Sequence, residues 1–268
     1  MTQQQIQLKI ESFLKTADKR VLDSFPIPGG RMRLFAANAD SYSCNYAVIN
    51  RWLDVDETIA AAEEEFAGRE ISPSRFFGAP DSLDLEQLRP VFMRHGYSIK
   101  VLDNRCIMAC ELPIVGDAQQ VAQLYWQQND LTAEEKEFIG AHVDGAFALY
   151  HIQRELRHGC SKMLFAKRQD TISAGLLFTM QDDTVMLSDA YTDLDYDNVS
   201  LVKQMIAQAA QECAKQQGNL LFAGVKEEKA VEVYRQLGFQ KIPLPPQWWA
   251  VKGCLPNWLQ RKSGNKGE

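Results

Sequence analysis

Several things are scarce or missing in this 268-residue chain, and each absence excludes something. There is no excess of positive charge: 29 Lys and Arg stand against 35 Asp and Glu, a formal net charge of −6. A nucleic-acid partner, which calls for a basic face, is therefore not expected. The four histidines, at 95, 142, 151 and 158, show no HExxH or comparable metal spacing. His151 and His158, seven apart, can share a helix face, and no metal is expected. The six cysteines (Cys44, Cys106, Cys110, Cys160, Cys213 and Cys254) contain no CxxC pair and read as reduced, packed residues, with Cys106 and Cys110 on one face of a strand. No stretch approaches the ~18–20 apolar residues of a membrane span. The opening MTQQQIQLKIESFLK lacks the apolar core of a signal peptide. A cytoplasmic protein without a membrane partner is the expectation; the oligomeric state is left open.

The residues that are present form a dense alternation of helix and strand signals. Ile6, Ile10, Phe13, Leu14 and Ala17 recur near a 3.6 period, which predicts an amphipathic helix ended by PIPGG at 26–30. Strands are expected at 31–37 and 44–52, a helix at 55–69, a short strand at 74–80, and a helix at 83–97 that holds Pro90 near its start. Strands at 98–103 and 105–112 follow. After Pro113 the pattern restarts with a helix at 117–130 and another at 132–159, the second opened by the capping box TAEE at 132–135. Three strands (162–168, 171–180, 184–192), a helix to Gly218, a strand at 219–225, a helix at 227–239 and strands at 240–244 and 248–253 complete the chain. The tail from 255 to 268 has the composition of a flexible terminus.

The two halves share an outline. VYRQLGF (233–239) and VFMRHGY (91–97) both read Val, aromatic, three residues, Gly, aromatic. RFFGA (75–79) matches LLFAG (220–224), and the last six elements of each half agree in type and order. An internal duplication of one α/β unit explains this better than coincidence.

These residues resemble the GNAT (GCN5-related N-acetyltransferase) superfamily. Its domains run two helices, three antiparallel strands, helix, strand, helix and two strands, the order read over 115–252. The most specific signature is A-x-x-x-Y-x-x-L-G-F, here Ala230, Tyr234, Leu237, Gly238 and Phe239. The resemblance implies an α/β (α+β) class, with a duplicated GNAT acyltransferase fold of mixed, mostly antiparallel sheets flanked by helices. It implies a truncated, non-catalytic N-terminal copy at 1–114, a complete copy at 115–254 and a tail at 255–268.

In that family acetyl-CoA, as co-substrate, lies where the fourth and fifth strands splay, with its pyrophosphate on the N–H groups opening the next helix. Carried over, this places the coenzyme along Ala190, Tyr191 and Thr192 and along Asp197, Asn198, Val199, Ser200, Leu201 and Val202, with Glu227 at the slot that usually holds Asn. The family's P-E-Y-R-G-x-G-x-G loop is altered here to LDYDNVSLV (194–202). Asp197 replaces a basic residue, Asn198, Ser200 and Val202 replace glycines, and Asp195 adds charge. Asp197, Asn198 or Ser200 could cap the helix itself. Tyr234 occupies the slot of the acid that protonates the departing thiolate, or is an aromatic packing over the sheet. The first copy has Phe92 there, with no proton to give. Asp189 is the candidate base, or a solvated strand-end carboxylate. Trp248 and Trp249 either line an acceptor pocket, pack in a core or form a lid.

The activity implied is transfer of an acetyl or other acyl group from acyl-CoA to an amine on a small molecule or protein. Two alternatives stand beside it: a catalytically silent GNAT-like protein that binds a ligand or a protein partner, and a transferase with a non-CoA donor such as aminoacyl-tRNA.

Overall fold

The structure is a computed structural model. It describes residues 1–35, 39, 44–52, 54–72, 74–79, 82–102, 106–114, 118–142, 145–192, 199–225 and 228–252, without the side chains of 18–21, 102, 142, 145–148, 189 and 192. Two compact units emerge, one of Met1–Val21 with Asn104–Leu244, the other of Leu22–Asp103 with Pro245–Glu268. They cut across the boundaries drawn from the sequence at 114 and 254. The first helix and one early strand belong to the later unit, and the last strand belongs to the earlier one.

The smaller unit has a six-stranded sheet in the order β1-β2-β3-β4-β13-β5. Its members are β1 (Asp23–Ile27), β2 (Gly30–Leu34), β3 (Tyr46–Ile49), β4 (Arg75–Phe77), β5 (Tyr97–Leu102) and β13 (Gln247–Lys252). β1 was expected as the end of the first helix. Instead Phe25 and Ile27 alternate toward the core, and Gly29 at φ 65° turns the chain into β2. Two helices cover one face: α2 (Val55–Gly68), through Val55, Ile59, Ala62 and Phe66, and α3 (Leu85–Arg94), through Leu85, Leu88 and Phe92.

The larger unit has a seven-stranded sheet in the order β12-β6-β11-β10-β9-β8-β7. These are β6 (Cys106–Glu111), β7 (Gln123–Gln127), β8 (Ser161–Arg168), β9 (Thr171–Gln181), β10 (Thr184–Thr192), β11 (Leu220–Val225) and β12 (Gln240–Ile242). β7 falls where a helix was expected. Leu124 and Trp126 pack into one core and Tyr125 into the opposite one, so a period of two prevails over 3.6. The stretch 132–159 divides instead into α4 (Ala133–His142) and α5 (Gly145–Arg157). The capping box holds: Thr132 N donates to Glu135 Oε2 at 2.7 Å and Glu135 N to Thr132 Oγ1 at 3.3 Å.

One face of this sheet is covered by α6 (Val199–Lys215) and α7 (Glu228–Gln236), over a core that includes Leu187, Leu201, Met205, Ala223, Val225 and Tyr234. The other face carries two clusters. Phe138, Ile139 and Ile152 of α4 and α5 pack on Phe165 and Leu177. Ile6, Ile10 and Phe13 of α1 (Gln3–Val21) pack on Ile107, Ala109 and Phe222.

Set side by side, β1-β2-β3-β4-β13-β5 mirrors β8-β9-β10-β11-β6-β12, with α2 matching α6 and α3 matching α7. β3 runs parallel to β4, as β10 does to β11. Gly96 (φ 77°) and Gly238 (φ 87°) end the matching helices in the left-handed region that glycine adopts without penalty. The repeat departs from expectation at one strand, because each half contributes a strand to the other sheet. β6 follows β5 in the chain but pairs with β11 and β12, whereas β13 pairs with β4 and β5. Shape pins β13 there: Trp248 fills the space over Gly78, where a Cβ would stand 2.2 Å from the indole nitrogen.

Candidate functional site

The candidate site begins with a break in hydrogen bonding. β10 and β11 pair in parallel from Thr184↔Leu220 to Leu187↔Ala223 and then no further, although β10 runs on to Thr192 and β11 to Val225. Just past the break β10 bulges against β9. Ser188 pairs with Leu177 and Tyr191 with Gly175, so Asp189 and Ala190 together oppose Leu176. A bulge of two residues against one bends the strand and frees backbone groups from the ladder. The result is a gap between two parallel strands that opens toward their C-terminal ends, with exposed Ala190 on one side and exposed Gly224 on the other.

The residues singled out from the sequence distribute around this gap as follows. Tyr234 lies on α7, 7% exposed, in the same core as Leu187, Ala223, Val225 and Leu201, with its ring edge-on to Phe239 at 5.0 Å. It therefore stands on the α6/α7 face of the strands that part. Asp189 holds the bulge. Tyr191 is 7% exposed and its side chain packs into the α4/α5 cluster. Val199, Ser200, Leu201 and Val202 form the first turn of α6. Ser200 is exposed, Val199 and Val202 are half-buried, and Leu201 is sealed in the core, so what this turn can offer a ligand is chiefly its backbone N–H groups. No acidic residue lies in that turn. The side chains of Asp189 and Thr192, and all of Asp195, Asp197, Asn198 and Glu227, lie outside the described residues.

Sequence reasoning overlooked Gly224 and Ser188. A glycine inside the otherwise apolar run LLFAGV was the available signal, since glycine in a strand marks a bulge or a close approach.

The matching position in the smaller unit is built differently. α2 is capped by its own Asp54, whose Oδ1 accepts from Glu57 N at 2.9 Å, and Asp56 and Glu57 sit in its first turn. Both features oppose an anion there. Leu83 N donates to Ile49 O at 2.8 Å, so backbone of the same unit meets the end of β3. Phe92, at the slot of Tyr234, is fully buried against Phe76, Tyr97 and Trp248. Trp248 is thus a core residue, and Trp249 is 7% exposed and edge-on to Phe77.

Among the described residues no group of three or more His, Cys, Asp or Glu is placed to hold a metal, and no helix is long and apolar enough to cross a membrane. Cys44, Cys106, Cys110, Cys160 and Cys213 are free thiols, and burial pushes Cys213 up to about 11, far from a thiolate at neutral pH.

The fold as a whole recurs in known structures. A GCN5-related N-acetyltransferase from Kribbella flavida superposes with a TM-score of 0.63 at 15% identity, over 92% of this chain and 95% of that one. The chain has the GNAT fold. A second GCN5-related N-acetyltransferase, from Sphaerobacter thermophilus, gives a TM-score of 0.54 at 10% identity, covering 83% of this chain and 76% of that one. A tandem GNAT protein from the clavulanic acid biosynthesis pathway gives 0.51 at 10% identity, over 85% and 80%. At these identities the likeness establishes the GNAT architecture, here in tandem. No family model and no curated protein matches the sequence.

Proposed function

We propose that the larger unit is an N-acyltransferase that moves an acyl group, acetyl or longer, from acyl-CoA to an amine, and that the smaller unit has no catalytic role. The observation that carries this is the gap between β10 and β11, which begins at Ser188 and Gly224 and is followed by the α6 N-terminus. An extended, amide-rich thioester arm fits between parted strands, where freed backbone groups can pair with it. An anionic pyrophosphate fits the N–H groups that open α6 and the positive end of the helix dipole.

The chemistry asks for two proton transfers. The amine nitrogen attacks the thioester carbonyl carbon, the C–S bond breaks, and the sulfur takes a proton from the Tyr234 phenol. The proton lost by the amine goes to the Asp189 carboxylate. A positioned acid contributes roughly 10²–10⁴-fold. In the smaller unit Phe92 has no proton to donate, and the capped, acidic start of α2 disfavours a phosphate.

Coenzyme thiol release from acyl-CoA, measured against a panel of amines with wild type and Tyr234→Phe, tests the reading. Amine-dependent release that the variant loses supports it. Coenzyme binding without release by any amine would favour a silent ligand-binding protein, the reading to which the glycine-free LDYDNVSLV loop lends weight.

A further inference from the structure

The acyl-CoA reading leaves one residue unexplained. Five of the six residues of β11 are buried, and Gly224 alone is exposed. Its backbone does not demand glycine, since its φ lies outside the left-handed region, and among the described residues a Cβ there would meet only Ile107 Cδ1, at 3.8 Å. Glycine in a strand costs stability relative to a residue with a side chain. With neither backbone nor packing calling for it, what glycine supplies is open space.

The register places that space. Gly224 pairs with Ile107, two residues along from Phe222↔Ala109, so it continues the row that packs under α1, opposite the α6/α7 face that carries Tyr234. Across the gap, Ser188 pairs with Leu177 of the α4/α5 cluster and so lies on the same side of the sheet as Gly224. At the point where the strands part, then, both carry small residues. The neighbours along the row are apolar: Ile107, Phe222 and Met186.

We infer that Gly224 sets the size of the acyl group that this cleft admits, and that the cleft favours acyl groups longer than acetyl. The inference rests on the acyl-CoA reading above. With the sulfur beside Tyr234, the acyl carbon passes between the strands to the opposite face, where an apolar floor and a missing side chain receive methylenes. Each methylene removed from water there is worth about fourfold in affinity until the space is filled.

The test is a calorimetric titration of wild type, Gly224→Ala and Gly224→Val with coenzyme A, acetyl-CoA and hexanoyl-CoA. The wild type is expected to bind hexanoyl-CoA at least tenfold more tightly than acetyl-CoA. The hexanoyl-to-acetyl preference should shrink in Gly224→Ala and collapse at least tenfold in Gly224→Val. Should Gly224→Val fail to fold, the alanine variant decides alone. Equal wild-type affinity for the two acyl forms, or a preference that survives both substitutions, overturns the inference and leaves the acyl-CoA reading standing. A wild type that binds none of the three ligands removes both.

Discussion

Replacing Trp248 by alanine should destabilise the early part of the chain, not the part nearest to it in sequence. Trp248 is 4% exposed, sits over Gly78 and meets the Phe92 ring edge-on at 5.6 Å. Its strand is hydrogen-bonded to β4 on one side and to β5 on the other, with Gly78 N donating to Trp248 O at 2.9 Å. Truncating a buried Trp to Ala typically costs ~3–5 kcal/mol, a large share of the ~5–15 kcal/mol that holds a domain folded. Amide exchange governed by opening of that unit should therefore accelerate by roughly 10²–10³-fold or more, at about tenfold per 1.4 kcal/mol. Native-state hydrogen exchange reads this residue by residue. Accelerated exchange in β2–β5 and α2, with β8–β11 unchanged, is the expected result. Accelerated exchange confined to β10–β12 would refute the placement of β13 between β4 and β5.

Three further outcomes are expected. Tyr234→Phe should lower kcat by roughly 10²–10⁴-fold with little change in KM, because it removes a proton and leaves the ring packed on Phe239; unchanged turnover would assign Tyr234 to packing. On the proposed coenzyme site, Asp197→Arg with Ser200→Gly should tighten acetyl-CoA binding by an amount that shrinks with added salt, since a negative residue of the LDYDNVSLV loop is exchanged for a positive one; equal affinity across a salt series would place the phosphates elsewhere. Asp183 is held below its ordinary value of about 3.8, chiefly by the Lys9 ammonium, with Asn219 and Thr184 also donating to it. It contributes stability above that value and loses it as pH falls through the lower folded value, so the Tm gap between wild type and Asp183→Asn should be steady near neutrality and close below about pH 4; a gap unchanged at pH 3 would remove the ion pair from the account.

The helices and most strands were legible because their apolar spacing is local. Leu201, Met205, Ala209 and Cys213 recur along one face of α6, and the capping box at Thr132 announced α4. β7 was misread because Leu124, Tyr125 and Trp126 sit in a short stretch where both periods fit, and only tertiary packing on two opposite cores chose between them. The exchange of β6 and β13 was invisible for a different reason. Either strand is a short run buried on both faces that suits either sheet, and the choice rests on contacts such as Trp248 over Gly78, some 170 residues apart in the chain. Of the candidate site, Tyr234 and the first turn of α6 could be carried over from a motif. The bulge at Asp189 exists only as a break in strand pairing, which no residue type encodes by itself, whereas the opening at Gly224 left one trace, a glycine within an apolar strand.

The most direct test of the central claim is a calorimetric titration of the full chain with coenzyme A. The gap between β10 and β11, with the N-terminus of α6 after it, predicts one equivalent bound per chain. The capped, acidic start of α2 and the Leu83–Ile49 hydrogen bond predict none in the smaller unit. No binding at any accessible concentration would contradict the coenzyme site, and two equivalents per chain would contradict the closure of the first copy.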